Sequence, residues 1–471
     1  MTDNGLGGKL RSTVTVLAVW CCLGLPLVPL CCSAESVENE EGRSDPVAQE
    51  PTPTGLERYW EEIKDNFEVL AKLLIWGTAA QTTNSTQNPS NNFANIPDLT
   101  ANAEIRADFS FRIEKFEAFV KPRLNLDWQH WQTGDLAGES DQDVELFVNE
   151  WEVRFLPDRK FVLGFGRLNL QWGPSYFISP SNPFFRDNGQ ANPKREVPGM
   201  EFFRLLWFPD AAWTISVIAN TDEGRQEYIL DDFERVYAVK VDHVSYRQYY
   251  SLIGSYREDD LLQLGGYGNW SLSDALMLYM EGNIMQGSAA LYPNQVAQTP
   301  FGPIILMDDS RVDDSSLEGT FLWGASYTFN LGPTLTMEYV FNSPGYGDRE
   351  AEQYYDFRKA ASIGFESGFP LINKIGTLFL AQTLETGLRL LRQNYLVFQY
   401  QQAQIADAVT AFIRVVHNLD DGSTQLIPYL QYDVTDHAQL FVNGLQTFGP
   451  QRSEFRSLLQ YGWLIGVEYT F

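Results

Sequence analysis

The last thirteen residues, LQYGWLIGVEYTF, constrain the fold more than any other stretch. Counting back from Phe471, the residues Tyr469, Val467, Ile465, Trp463, Tyr461 and Leu459 share one parity, and all are aromatic or aliphatic. Thr470, Glu468, Gly466, Leu464, Gly462 and Gln460 hold the other parity and are mostly small or polar. A strand sends alternate side chains to opposite faces, so this one presents a single oily face along its whole length. A soluble sheet has to cover such a stripe, whereas the closing strand of a transmembrane barrel turns it to lipid. An edge strand of a secreted sandwich is the competing reading.

The same period of two recurs along the chain. Ala103, Ile105, Ala107, Phe109, Phe111 and Ile113 alternate with Glu104, Arg106, Asp108, Ser110 and Arg112. Val120, Pro122, Leu124, Leu126 and Trp128 alternate with Lys121, Arg123, Asn125, Asp127 and Gln129. Phe147, Trp151, Val153 and Phe155 then oppose Glu150, Glu152 and Arg154, and Val162, Leu168, Leu170 and Trp172 oppose Arg167, Asn169 and Gln171. A half-buried soluble sheet also alternates. Here the polar face carries both charge signs strand after strand, which a water-filled lumen accounts for more simply.

Short and long turns alternate as well. Tight ones fall near Glu114-Lys115, Pro157-Asp158, Pro209-Asp210, Arg247, Ser273-Asp274, Gly332-Pro333 and Thr435-Asp436. Long ones fall near 84–99, 130–143, 175–198, 223–233, 288–317 and 344–388. Short periplasmic turns and long outer loops are the asymmetry of outer-membrane barrels. The expected fold is therefore all-β: a transmembrane antiparallel β-barrel of about eighteen strands over 72–471. Ala351–Ala361 reads as helical and Leu371–Leu388 as a helix or another hairpin, so sixteen or twenty strands stay compatible.

Before the barrel, Lys9 and Arg11 precede an apolar run from Val14 to Leu30, and Ser33-Ala34 offers small residues for cleavage, which reads as a secretory signal over 1–34. All four cysteines (Cys21, Cys22, Cys31 and Cys32) precede that site, so the mature chain is expected to lack thiols; a lipid anchor on Cys31 or Cys32 is the alternative. Residues 35–54 are acidic and proline-rich, a disordered leader by composition. Thr54 and Glu57 form a capping box, and Leu56, Tyr59, Trp60, Ile63, Phe67 and Leu70 follow at helical spacing, predicting an amphipathic periplasmic helix over 55–71. The formal charge of −27 argues against nucleic acid as a partner, whose phosphates it would repel.

Several stretches carry more than wall. The loop 175–198 follows the fifth strand and is stiffened by Pro180, Pro183 and Pro193. Phe184 and Phe185 need burial, so the loop is expected to fold inward and bring Arg186, Lys194 and Arg195 to a constriction. The lumenal arginines Arg106, Arg112, Arg123, Arg154, Arg167 and Arg204 line the pore in this reading, with Arg167 and Arg204 flanking the loop. Fixed charges in a narrow pore select ions and polar solutes; pairing with neighbouring carboxylates is the structural alternative. Asp308, Asp309, Asp313 and Asp314, with Asp231, Asp232 and Glu234, make acidic loops without a calcium-loop spacing. His130, His243, His417 and His437 are scattered, no phosphate loop or nucleophile elbow is present, and neither a metal site, a cofactor nor an enzymatic activity is expected.

Two stretches resemble known families. The closing strand is similar to the C-terminal recognition strand of bacterial outer-membrane barrels, which marks Tyr469 and Phe471 as an assembly signal read by the barrel-assembly machinery. Gly166-Arg167, Trp172-Gly173, Pro180, Asn182 and Pro183, together with the hairpin 144–173, resemble Gram-negative porins and in particular alginate-export-type porins, which are eighteen-stranded channels. The resemblance implies an outer-membrane location among lipid and lipopolysaccharide, a porin-like channel for small polar or charged solutes, and a monomer or trimer. Glu104, Asp108, Glu150 and Glu152 interleave with the arginines, so the polyanionic solute does not carry over. The alternatives are a gated transporter of hydrophobic solutes, a surface-polysaccharide-binding or structural barrel, and an outer-membrane enzyme.

Overall fold

The computed structural model describes residues 66–185, 192–226, 233–259, 261–287, 290–299, 302–308 and 316–471. The expected signal, leader and residues 55–65 of the expected helix lie outside them. So do Arg186 and the acidic residues Asp231, Asp232, Asp309, Asp313 and Asp314.

Among the described residues, eighteen strands form one sheet. In chain order the elements are β1 (Phe67–Thr82), β2 (Leu99–Ile113), β3 (Phe116–His130), β4 (Ser140–Asp158), β5 (Phe161–Leu168), β6 (Met200–Asp210), β7 (Trp213–Asp222), β8 (Val236–Ser245), β9 (Gln248–Arg257), β10 (Leu261–Ser271) and β11 (Leu276–Gln286). A separate hairpin, β12 (Tyr292–Thr299) and β13 (Gly302–Asp308), stands in the next loop. The wall resumes with β14 (Leu317–Thr328) and β15 (Thr334–Asn342), followed by helices α1 (Asp348–Phe365) and α2 (Pro370–Leu384). Strands β16 (Asn394–Ile405), β17 (Val409–Asn418), β18 (Thr424–Asp433), β19 (Ala438–Phe448) and β20 (Leu459–Thr470) complete it. Each wall strand is antiparallel to the next, with β11 pairing β14, and β1 pairs β20, closing the barrel. The ambiguous 344–388 stretch contributes helices, which leaves eighteen strands.

Closure follows from the oily stripe first noted. Ile75 pairs Val467 across the seam and Ile465 is 66% exposed on the outer face, while Glu468 on the opposite face is 6% exposed. Inside, Lys72 of β1 lies 2.9 Å from Glu468 of β20, an ion pair that ties the first strand to the last. Backbone groups at both edges are thereby paired, which removes the exposed edges an open sheet would present.

Two expectations need correction. Residues 67–71 are strand, so β1 begins at Phe67 rather than at residue 72. Phe67 and Leu70 satisfy a helical spacing, but Phe67 pairs Phe111 and stacks on Phe109 at 6.0 Å, and cross-strand pairing outweighs the local periodicity. Phe147 does not share the outer face with Trp151. Lys121 pairs Glu150 while Pro122 pairs Val148, so Asn149 forms a bulge that reverses the parity of β4. Above the bulge Val144 and Leu146 face outward, and Phe147 pairs the inward Arg123.

The two rims differ as the turn lengths predict. At the short-turn rim, Asp158 accepts the N–H groups of Lys160 and Phe161, Asp210 accepts that of Ala212, and Ser273 accepts those of Ala275 and Leu276. Outward aromatic pairs gather near this rim: Phe116–Phe155, Phe161–Trp207, Trp213–His243 and Tyr250–Trp270. At the other rim the long loops pack on one another. Gln87 donates to Thr383, Arg358 of α1 donates to Thr86 and Ser457, and Phe93 meets Phe365 edge-on.

Candidate functional site: a loop folded through the barrel

After Leu168 the chain leaves the wall and turns inward. Leu168, Phe184 and Phe185 bury themselves against Phe202 and Ile218 on the inner face of β6 and β7. This is the burial that the two adjacent phenylalanines demand. Asn182 holds the bend: its amide donates to the Leu170 carbonyl at 2.9 Å, and its oxygen accepts the N–H of Phe184 at 3.0 Å.

Between these points the segment 173–182 reaches a distant part of the wall. Glu338 on β15 accepts the Tyr176 N–H at 2.8 Å, the Ser175 hydroxyl at 3.2 Å and the Tyr279 hydroxyl at 2.6 Å. Glu281 on β11 accepts the hydroxyls of Ser179 and Ser181 at 2.6 and 2.7 Å. Gly173 adopts φ +92° directly over Glu281, and a Cβ there would sit 2.3 Å from the carboxylate. Only glycine meets both demands. Arg389 donates to the Ser179 carbonyl at 2.6 Å, and the Arg414 guanidinium lies 5.8 Å from the Tyr176 ring centre.

The returning residues 192–197 reach a different part of the wall. Lys194 pairs Glu468 of β20 at 2.7 Å and donates to Gln439 of β19 at 2.9 Å. Glu196 binds Arg123 of β3 through two parallel contacts of 2.7 and 2.8 Å, and Arg123 also lies 2.8 Å from Asp108. Arg106 donates to the Lys194 carbonyl at 2.6 Å and pairs Glu104. Burial pulls the Lys194 ammonium down from its ordinary pKa, with Glu468 opposing. Burial pushes the Glu196 carboxyl up, but Arg123 and Arg106 more than offset it and hold it below the usual carboxylate range. The loop thus touches inner walls on both sides of the barrel interior.

The candidate residues fall into distinct places. Arg106, Arg123 and Lys194 meet at the returning segment, and Arg195 is half-buried beside them. Arg154 and Arg204 share Glu152, while Arg112 pairs Glu117 near the short-turn rim and is largely exposed. Arg167 requires correction. It pairs Trp151 and Glu201 in register, and Val153 pairs Phe165, so Arg167 shares the outer face with Phe165 and Phe203. Its guanidinium binds Glu201 at 2.9 Å and the Val148 carbonyl at 3.0 Å. The parity was read correctly, but the oily residue Leu168 faces inward because the loop supplies an apolar partner inside. Glu281, Glu338 and Arg414 were missed. Their signal was a single charge inside an otherwise neutral strand, as in LMLYMEGNIMQ and TLTMEYVFN.

Beside the inward-turning segment lies a cavity of about 500 Å³, walled by Trp172 of the loop and by Arg204, Lys240, Tyr249 and Tyr267 of β6 and β8–β10. No protein-family model and no curated protein sequence matches this chain. Among solved structures, OprD from Pseudomonas aeruginosa aligns at 12% identity and a TM-score of 0.47, covering 86% of this chain and 95% of that one. OccK11 (OpdR) from the same organism aligns at 10% and 0.46, covering 87% and 96%. The Rhodopseudomonas blastica porin aligns at 8% and 0.40, covering 86% and 100%. These values are too low to transfer a solute or a mechanism.

Proposed function

We propose that the chain is an outer-membrane porin-like channel for small polar solutes, with the loop after β5 as its constriction. The observation that carries this reading is the loop itself, folded inside a closed barrel and tied to inner walls on both sides. An outward apolar belt with aromatic residues gathered near the short-turn rim suits the hydrocarbon layer and its boundary. Outer-membrane lipid, with lipopolysaccharide in the outer leaflet, would cover that belt. The lumenal arginines are matched by carboxylates, which disfavours a polyanion such as alginate and favours solutes of low net charge.

Planar-bilayer recording tests the reading. Stepwise conductance from refolded protein is the expected result. Its absence from protein that shows heat-modifiable barrel mobility would replace the channel with a surface-binding or structural barrel. Tyr469, which pairs Leu73 of β1, and Phe471, whose N–H donates to the Ala71 carbonyl, are exposed and serve as the assembly signal in this proposal. Phe471→Asp should lower assembled barrel in cells severalfold, although a charge at the interface costs the finished barrel only about 0–1 kcal/mol. Wild-type levels of assembled variant would overturn that role.

A further inference from the structure

We propose that the cavity beside the loop binds a neutral polyhydroxylated solute, about one or two sugar rings in size. Transport of that solute rests on the channel reading above; binding does not. The first argument is charge. Lys240 is held by Asp242, and Arg204 by Glu152, so each cation at the cavity wall already has its carboxylate. Asp242 also accepts the Tyr249 hydroxyl at 2.6 Å. A net anion or cation entering the cavity would find its counter-charge already engaged, and displacing a partner would leave a buried charge unpaired. A hydroxyl group meets no such conflict, because it accepts from the cationic side of a pair and donates to neutral wall oxygens such as those of Ser216 and Asn269.

The second argument is shape. Trp172 and Tyr267 flank the Lys240 ammonium, each ring centre 5.6 Å away, and the Tyr267 ring stacks on Tyr249 at 5.5 Å. Aromatic walls beside engaged polar groups match a ring that is apolar on its C–H faces and polar at its rim. The volume, about 500 Å³, lies within the range of about 300–1,000 Å³ usual for small-molecule sites. Finally, Trp172 and the following Gly173 belong to the loop segment docked on Glu281, so the cavity wall is set by the constriction itself.

The test is calorimetric titration of the detergent-solubilised full chain with glucose and with cellobiose, alongside benzoate and tetramethylammonium as charged probes. Sugar binding is expected, with an affinity unchanged between 0.1 and 1 M salt, where the Debye length falls from about 10 to 3 Å. Tyr267→Ala should weaken it about tenfold, or about 1.4 kcal/mol, while Tyr267→Phe keeps the ring and stays within about threefold. Heat-modifiable mobility checks that each variant is folded. Salt-sensitive binding of benzoate or tetramethylammonium without sugar binding would overturn the proposal, and so would equal sugar affinity in Tyr267→Ala. A folded protein that binds sugar but never conducts would refute the channel and leave the site standing. One that conducts yet neither binds sugar nor is blocked by it would refute the site alone.

Discussion

The two halves of the inward loop are docked by opposite chemistry. The outgoing half, 173–182, brings neutral donors to two buried wall carboxylates, Glu281 and Glu338. The returning half, 192–197, brings formal charges, Lys194 and Glu196, to wall charges of opposite sign. The outgoing half is therefore fixed by hydrogen-bond geometry, since a hydroxyl or N–H misplaced by an ångström loses its bond. The returning half is fixed by charge matching, which tolerates more displacement. Two modes in one loop separate its attachments, and each can be broken without touching the other.

The largest effect is expected at Glu338. Glu338→Leu strands the Tyr176 N–H and the hydroxyls of Ser175 and Tyr279, three buried donors at about 1–3 kcal/mol each. Single-channel conductance should rise severalfold and the thermal midpoint should fall. Unchanged conductance in folded protein would show that the carboxylates do not hold the outgoing half.

Lys194→Met comes next. Glu468 keeps Lys72 as a partner, so the loss should be about 1–3 kcal/mol, below the 3–5 kcal/mol of a fully stranded partner. Limited proteolysis should then open the chain near 192–199 and spare 173–182. Cutting in both halves at equal rates would mean that the halves dock as one unit, and the contrast would fail.

A third carboxylate sharpens the comparison from outside the wall. Glu454, in the loop before β20, accepts the Tyr395 hydroxyl, the Leu391 N–H and the Asn418 amide, much as Glu338 accepts neutral donors. Burial pushes its pKa up to about 7, with nearby Asp421 adding to the shift and the hydrogen bonds opposing it. A raised folded-state value means the protonated form is preferred. Its contribution is complete below about pH 4.5 and lost as pH rises through about 7, at most about 3 kcal/mol. Hydrogen exchange at Leu391, corrected for intrinsic rates, should quicken across that window, and Glu454→Gln should abolish the change. A pH-independent wild type would remove Glu454 from this class.

The smallest effect separates the inner and outer faces. Arg204→Met should move the reversal potential toward cation selectivity at 0.1 M salt, and the shift should shrink at 1 M. Arg167→Met should leave the reversal potential where it was, because Arg167 stands on the outer face with Glu201. A shift in Arg167→Met equal to that in Arg204→Met would return Arg167 to the pore.

Much of the wall was legible because its information is local. Strand alternation, the tight turns at Pro157-Asp158, Pro209-Asp210 and Ser273-Asp274 and the oily stripe of β20 depend on neighbours one or two residues away, and each of these turns joins two wall strands in the structure. The misreadings at Phe147 and Phe67 share one cause. A single-residue bulge and a pairing with Phe111 are decided by another strand, and neither leaves a mark in its own segment. The site was legible only where burial was forced. Phe184 and Phe185 announced the inward loop, while Ser175, Ser179 and Ser181 looked like any polar loop.

The sequence by itself thus pointed to an antiparallel barrel with short and long rims, since period-two patterning needs no partner to be read. Only the tertiary structure decided which charges face water, which face outward and which hold the loop. Those outcomes depend on residues such as Arg123 and Glu196, or Ser181 and Glu281, far apart in the chain and brought within hydrogen-bond reach by closure of the sheet. Arg167 shows the limit: its parity was fixed locally, but the direction of that parity was set by what Leu168 could pack against inside.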